Sequence, residues 1–426
     1  MKRSLAAWLA YAESTHPRSI AMGLERVRQV GQALGVLPWR VPSIIVAGTN
    51  GKGSVTAGCE RILLRHGHRV GAGFSPHLTH FGERIHVDGE PAAEALMVAG
   101  FEAVDAAREA TPLTYFEFAT LVSLWCWRET GMTHTVLEVG LGGRLDAFNV
   151  VDAAVAVVTS IGLDHQEWLG DSREQIGVEK AGVLRPGQAV VLGPDMPSSV
   201  LARARTLACR VACYGSDFVV DRHADRLCLQ AVSEPWRDAL VDVDGVSMDA
   251  RLAPQNLALA VEACAALSKL RRDATQAAIE EANLPGRMEW FLHANRRIVL
   301  DIAHNVDGAR FLAERLRQQG RTPRVAVMGN LADKDTAGIA TAMKALVSTW
   351  IAVPTAGPRG QSAETTADAV GGAVGTPVPA AMSVAAALAD ALACTRDDDV
   401  ILVFGSFAVV EAARECLLNG RSAEAP

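Results

Sequence analysis

Residues Ile44–Ser54 read I-I-V-A-G-T-N-G-K-G-S, an apolar strand run that passes straight into a Gly-rich loop with one lysine. Glycines let a loop turn its N–H groups toward a phosphate, and a helix starting near Lys52 adds the positive end of its dipole. Lys52 then supplies a mobile positive charge for outer phosphates, and Ser54 a hydroxyl for Mg2+. The stretch departs from the general phosphate-loop pattern. Val46 stands where that pattern has its first glycine, and Gly53 separates Lys52 from Ser54. The plain alternative is an ordinary Gly-rich strand–helix turn. Strand, loop and helix signals in the required order favour nucleotide binding.

Outward from this loop, short apolar runs alternate with helical stretches. Strands are expected at Ile44–Ala47, Arg69–Gly73, Thr133–Val139, Ala153–Thr159 and Ala189–Leu192, with helices over Lys52–His66, Ala92–Ala110 and Phe116–Thr130. Such alternation predicts a doubly wound, mostly parallel α/β sheet, whose phosphate loops lie at the carboxyl ends of strands. From Asp217 to Arg251 the pattern becomes polar–apolar (Phe218–Val220, Leu227–Leu229, Ala239–Val241) and predicts antiparallel strands. Helices follow near Gln255–Leu270 and Ala274–Glu281, then a turn at Leu284-Pro285-Gly286. A second alternating series predicts a smaller α/β domain. Its strands are Ile298–Ile302, Arg324–Met328, Thr349–Val353 and Val400–Phe404, and its helices Gly308–Gln318, Ser383–Ala393 and Ala408–Leu418. The boundary falls near residues 286–296.

The bulk properties suit this reading. A chain of 426 residues is too long for one ordinary core, and 49% hydrophobic with 21% charged residues is a globular composition. A net charge of −7 gives no basic field for nucleic acid or anionic lipid. The 8 cysteines lack C-x-x-C spacing and read as free thiols of a reducing compartment. At the N-terminus, Lys2 and Arg3 precede the apolar run Leu5–Ala12, and Ala10-Tyr11-Ala12 imitates a signal-peptidase site. The run is short, however, and leads into a helical stripe of Ile20, Leu24, Val27, Val30 and Leu34, so a cytoplasmic amphipathic helix is expected. No apolar run approaches the roughly 20 residues that span a bilayer.

Three polar clusters follow apolar strands. Glu138-Val139-Gly140-Leu141-Gly142-Gly143-Arg144-Leu145-Asp146 offers a carboxylate at a strand end, suited to a metal beside a phosphate; a Gly-rich turn with a surface salt bridge is the alternative. Thr159-Ser160-Ile161-Gly162-Leu163-Asp164-His165 offers an imidazole for a divalent cation, although Mg2+ prefers oxygen and a lone histidine is often structural. In Gly177-Val178-Glu179-Lys180-Ala181-Gly182, Lys180 lies among small and apolar residues. Burial there would be costly or depress its pKa, and a solvated helix face is the equal alternative.

These clusters, with Ser75-Pro76-His77-Leu78, Glu83-Arg84-Ile85, Leu284-Pro285-Gly286-Arg287, Asp301-Ile302-Ala303-His304-Asn305, Asp333-Lys334-Asp335 and Gly405-Ser406-Phe407, resemble the folylpolyglutamate synthase family, one of the Mur-type ATP-dependent amide ligases. The likeness is collinear over nearly the whole chain, and the ordered set is more specific than any one motif. It implies a P-loop ATP-binding domain over residues 1–288 and a Rossmann-like glutamate-ligase domain over 289–426.

By the same resemblance, Thr49, Asn50, Gly51, Lys52, Gly53 and Ser54 cradle ATP, and Asn256, Arg287 and Asp301 contact it. Ser54, Ser75, Glu138 and His165 match hydroxyl, carboxylate and imidazole positions around Mg2+, with two ions implied and K+ a further candidate. Lys180 matches the lysine that the family carbamylates, which would turn a buried cation into an anion and decides the even choice for function. His304 and Ser406 match positions near the incoming glutamate. Some members only extend folates, and others also make dihydrofolate from dihydropteroate. Met22, Gly23, Leu24 and Glu25, then Thr114, Tyr115, Phe116 and Glu117, then Leu145, Asp146 and Ala147 resemble the pterin-site segments of the bifunctional members. Phe148 departs from the threonine usual in that run, and the Pro254–Asn256 segment is one residue short.

The implied reaction joins L-glutamate to dihydropteroate or to a folate. A substrate carboxylate attacks the γ-phosphate of ATP, and the glutamate amine then attacks the acyl phosphate, with His304 a candidate base. Two domains suit closure of Arg287, Asp301 and His304 on the phosphates. The small-molecule substrates, a cytoplasmic location and a monomer complete the expectation. A regulatory P-loop NTPase would want Ser or Thr directly after Lys52, and a non-catalytic scaffold would have lost Lys52, Glu138, His165 or Lys180. A sibling ligase acting on a peptidoglycan precursor is the nearer competitor; the S-P-H-L and T-Y-F-E segments favour folate.

Overall fold

Strand β1, Ser43–Ala47, is buried along its whole length, as a near-continuous apolar run requires when both faces of a parallel sheet are covered. The computed structural model describes residues 3–17, 20–223, 226–231, 243–247, 250–357 and 359–421. The chain divides into two compact units, Met1–Ala282 and Asn283–Pro426.

In the first unit, β2 (Val70–Gly73), β3 (Ile85–Val87), β4 (Glu90–Pro91), β5 (His134–Glu138), β6 (Val155–Val158), β7 (Ala189–Leu192) and β8 (Arg210–Cys213) join β1 in one sheet. Its order is β4-β3-β2-β5-β1-β6-β7-β8. From β2 to β8 the neighbours run parallel, and β3 with β4 forms an antiparallel edge. Val46 sits opposite Glu138 on one side and Val157 on the other. The loops after β1, β2, β5 and β6 therefore leave one common edge of the sheet, the carboxyl edge where α/β folds hold ligands.

The flanking helices are Lys52–Arg65, Glu94–Arg108 and Tyr115–Thr130, within two residues of the sequence expectation at each end. Trp127 and Phe148 lie flat against the sheet, their rings stacked at 6.2 Å. Glycines at 71 and 73 make this fit, since a Cβ at Gly71 would stand 2.5 Å from Trp127 and one at Gly73 2.8 Å from Phe148. Phe148 thus belongs to the core.

The N-terminal stripe is corrected in part. Helices form over Leu5–Ser14 and Glu25–Ala33, so Ile20 and Leu24 precede the second helix although their spacing matches its apolar face. Gly23, at φ 152°, cannot belong to a helix and resets the start. Trp8 and Ala12 are buried in the main core. Among the described residues, no helix is long and apolar enough to cross a membrane.

The alternating stretch forms an antiparallel sheet of β9 (Phe218–His223), β10 (Arg226–Ala231) and β11 (Val243–Ser247). The expected strand residues Ala239–Val241 lie outside the described residues. Helices Pro254–Ala265 and Arg272–Glu281 complete this unit.

The second unit holds β12 (Glu289–His293), β13 (Arg296–Asp301), β14 (Pro323–Met328), β15 (Thr349–Ala352) and β16 (Val400–Phe404) in the order β12-β13-β16-β14-β15. Only β12 is antiparallel. Its own core includes Val299, Leu316, Met328, Leu402 and Phe404. Strand β12 and helices Thr336–Met343 and Ala363–Val374 add to the elements marked by alternation. The last carries Gly371 and Gly372 near its end, residues that weaken a helix signal.

Candidate functional site

Two backbone positions let the loop after β1 turn. Gly48 adopts φ 148° and Gly51 φ 87°, and a Cβ at Gly48 would collide with Thr159 Oγ1. The loop is laced to the one that follows β6. Thr159 Oγ1 donates to Asn50 O at 2.6 Å, Asn50 N donates to Ser160 Oγ at 3.0 Å, and Thr49 N donates to Ser160 O at 2.8 Å. The Thr49 hydroxyl accepts from Gly162 N at 3.0 Å. The N–H groups of Thr49 and Asn50 are thus engaged within the protein, and the first-turn amides of helix Lys52–Arg65 form the anion-facing part. This brace was not legible as a functional element, although Thr159 and Ser160 stood in the quoted cluster. Its signal was a hydroxyl pair directly after the strand beside β1.

Two ammonium groups converge on one carbonyl. Lys52 Nζ donates to Gly48 O at 3.1 Å and to Thr49 O at 3.2 Å, and Lys180 Nζ donates to the same Gly48 O at 2.7 Å. Lys180 ends helix Arg173–Lys180 and is only 5% exposed, which excludes the solvated-face reading. Burial, reinforced by the Lys52 charge and opposed by Asp164 and Asp146, lowers its pKa to about 7. Asp146, also buried, accepts from Gly140 N at 2.9 Å, Leu141 N at 3.1 Å and Phe148 N at 3.0 Å. Burial pushes its pKa up to about 6 against these bonds and the Lys52 charge. Glycines close this corner: a Cβ at Gly143 would stand 2.8 Å from Lys180 O. Asn256 also reaches the loop, since a Cβ on Gly51 would meet its Oδ1 at 2.8 Å.

Ser75 and Glu138 come together across neighbouring strands β2 and β5. Glu138, 4% exposed, accepts from Ser75 N at 2.9 Å. Ser54 is buried in the first turn of its helix, and His165 stands after β6 at φ 52°, its N–H donating to Asp164 Oδ1 at 2.9 Å. Among the described residues, no group of three or more His, Cys, Asp or Glu is gathered as a metal cage. One carboxylate, one imidazole and hydroxyls make an open set, which suits an octahedral cation that keeps several waters.

The residues at 22–25, 114–117 and 145–147 fall into two groups. Phe116 lies on Gly140, where a Cβ would stand 2.8 Å from its ring, and Met22 reaches Gly142. Tyr115 packs edge-on to Phe81 at 6.1 Å. By contrast, Glu117 closes a capping box with Thr114 and pairs with Arg26 at 2.7 Å, and Glu25 accepts from Leu24 N at 3.1 Å. Both carboxylates are spent on positioning. Leu145 is half-buried and Ala147 buried beside Asp146.

In the second unit, Asp301 ends β13 and accepts from Met288 N at 3.0 Å and Ala303 N at 2.9 Å. Burial raises its pKa, and the nearby Arg287 and His304 charges oppose the rise. His304 Nδ1 donates to Ile302 O at 2.9 Å. Ser406, 4% exposed, accepts from Val409 N at 3.3 Å and caps the helix Phe407–Arg421.

Comparison with known proteins agrees with this geometry. Residues 286–407 match the Mur ligase, glutamate ligase domain. A dihydrofolate synthase/folylpolyglutamate synthase of Escherichia coli (strain K12) is 38% identical over 431 residues, spanning 98% of this chain and 96% of that protein. The structure of E. coli FolC in complex with DHPP and ADP superposes with a TM-score of 0.91 at 36% identity, covering 98% of this chain and 99% of that one. A bifunctional folylpolyglutamate synthase/dihydrofolate synthase with Mn, AMPPNP and L-glutamate bound gives 0.88 at 36% identity, covering 98% of each chain. With its phosphate-type loop, its buried lysine and its second α/β unit in collinear order, the chain belongs to the dihydrofolate synthase/folylpolyglutamate synthase family of Mur-type ligases.

Proposed function

We propose that this protein is an ATP-dependent amide ligase that joins L-glutamate to dihydropteroate, giving dihydrofolate, and to tetrahydrofolate, giving polyglutamates. The observation that carries this reading is the pair of ammonium groups, Lys52 and Lys180, on the carbonyl of Gly48 at the end of β1. Both amines close on the turn that ends β1, and a phosphate chain is the anion that a Gly-rich loop before a helix accepts. The relatives' structures with ADP, AMPPNP, Mn and L-glutamate support the same ligands here.

In this mechanism residues 1–288 form the ATP-binding domain and 289–426 the glutamate-ligase domain. The amides of Gly51, Gly53 and Ser54 hold the phosphates, and Lys52 leaves its loop carbonyls to neutralise charge on the transferring phosphoryl group. The substrate carboxylate displaces ADP from the γ-phosphorus to give an acyl phosphate; the glutamate amine then displaces phosphate from the carbonyl carbon. Glu138, Ser75, Ser54 and His165 would hold Mg2+, which when bound supplies positive charge to the phosphoryl oxygens. Lys180, partly neutral near pH 7, adds its amine to CO2, forms a carbamate and releases one proton. Asn256, Arg287 and Asp301 contact the nucleotide. His304 Nε2 takes the proton from the glutamate amine, beside Ser406. Phe116, Tyr115, Met22, Leu145 and Ala147 line the pterin side, with Gly23, Leu24, Glu25, Thr114, Glu117 and Asp146 fixing that wall. The protein works as a cytoplasmic monomer.

The test is ATP-dependent coupling of radiolabelled glutamate, with dihydropteroate and tetrahydrofolate as parallel acceptors. Product from both is expected, because Phe148 is packed in the core. Product from tetrahydrofolate alone would reduce the protein to a folate-extending ligase, and product from neither would overturn the reading.

A further inference from the structure

We infer that Arg84 is the residue that grips the carboxylate to be activated, holding it between the Tyr115 ring and the Glu138 end of β5. This assignment rests on the function proposed above and adds to it a binding residue outside the segments that carry the resemblance to a pterin site.

The backbone of Arg84 is pinned at the sheet edge. It ends the short turn Phe81–Arg84 that leads into β3, and its carbonyl accepts from Phe74 N at 3.1 Å. The guanidinium is half-buried and held on two sides. Its Nε donates to His77 Nδ1 at 2.7 Å, and its carbon lies 5.5 Å over the centre of the Tyr115 ring. These contacts fix the plane of the fork and use one N–H of five.

The nearby carboxylates do not complete it. Glu83, the adjacent residue, is spent on the S-P-H-L loop, accepting from Leu78 N at 2.7 Å, Thr79 N at 3.0 Å and His80 N at 3.2 Å. Glu138 is close enough for its charge to act on Arg84, yet it is the acceptor of Ser75 N. Among the described residues, Arg84 makes one side-chain hydrogen bond, through Nε to His77, and no ion pair within 4.0 Å. A fixed, half-buried guanidinium with both Nη groups uncommitted has the geometry of a bidentate carboxylate receptor. Its neighbours state which one. Tyr115, backed by the buried Phe81, presents aromatic surface for an arylcarboxylate, and Glu138 marks the side where the phosphoryl group arrives. The fork would hold the acid against its own charge until phosphorylation.

Equilibrium binding of dihydropteroate and of its carboxamide to the full-length protein, to Arg84→Gln and to Arg84→Lys tests this. The parent chain is expected to prefer the acid. Arg84→Gln should lose at least about 30-fold in affinity for the acid, bind the carboxamide nearly as the parent does, and so lose the preference. Arg84→Lys, a point charge without the fork, should fall between them. A thermal melt accompanies each variant, and a misfolded one would weaken both ligands together. Arg84→Gln with the parent's acid-over-carboxamide preference would overturn the assignment while leaving the proposed function standing. A parent chain that binds neither pterin would overturn both.

Discussion

At the residue scale the decisive group is Lys180. A lysine pKa of about 7 means that folding depresses it from its ordinary value. Between the folded value and the ordinary lysine range the unfolded chain binds more protons than the folded one, so stability rises as pH increases from about 7. Lys180→Met should flatten that rise, read as the urea midpoint at pH 7 and pH 9. The neutral amine is also the form that takes up CO2. Ligation in CO2-depleted buffer should therefore fall and recover with bicarbonate, more completely at pH 8 than at pH 6. Lys180→Ala should lower ligation by at least about 10²-fold while nucleotide binding, followed by calorimetry, stays near the parent value. Full activity in that variant would remove Lys180 from the mechanism. The residues around Lys180 left it even between solvated and buried, and only the family resemblance decided for function. The reason is physical: its partner is the Gly48 carbonyl, a backbone atom that no residue type announces.

At the element scale, the helix Tyr115–Thr130 connects fold to chemistry. Its Thr114–Glu117 capping box and the Arg26–Glu117 pair fix the first turn, from which Tyr115 and Phe116 project. Thr114→Ala should cost about 1 kcal/mol of stability in urea titration, and Arg26→Met should raise KM for dihydropteroate before it affects KM for ATP. In the sequence T-Y-F-E reads as a pterin-side segment and not as a cap, whereas strand β1 with its following helix was readable from Ile44–Ser54, because glycine punctuation and apolar runs are local signals. The stripe from Ile20 was misleading because periodicity registers spacing and not the φ of 152° at Gly23. The lacing of Thr159 and Ser160 to Asn50 joins residues over one hundred positions apart, and such a contact exists only once the register of β1 against β6 is set.

At the scale of the whole molecule, each unit owns a sheet and a core. The five strands of the second unit close around Val299, Leu316, Met328 and Phe404. A fragment of residues 283–426 should then fold without the rest, giving one cooperative urea transition and a helical circular dichroism spectrum. A fragment that stays unfolded would mean that this core needs the first unit. Most motifs were legible because they follow strands, and parallel α/β architecture places such loops at the carboxyl edge of their own sheet; Arg84, Lys180 and Arg287 lie outside that rule. Which groups spend their hydrogen bonds on holding that edge was not legible, as Glu117 and Glu25 show.

The clasp of Thr159 and Ser160 on the Asn50 turn has a kinetic counterpart. A loop whose turn is already tied has surrendered its conformational freedom during folding, so an arriving nucleotide meets a finished concavity. Its capture should then proceed as simple docking in one exponential phase, with little change in backbone hydrogen exchange across residues 48–51. Cutting the clasp with Thr159→Val would convert that capture into a slower ordering event, and affinity would fall by the free energy needed to order the turn.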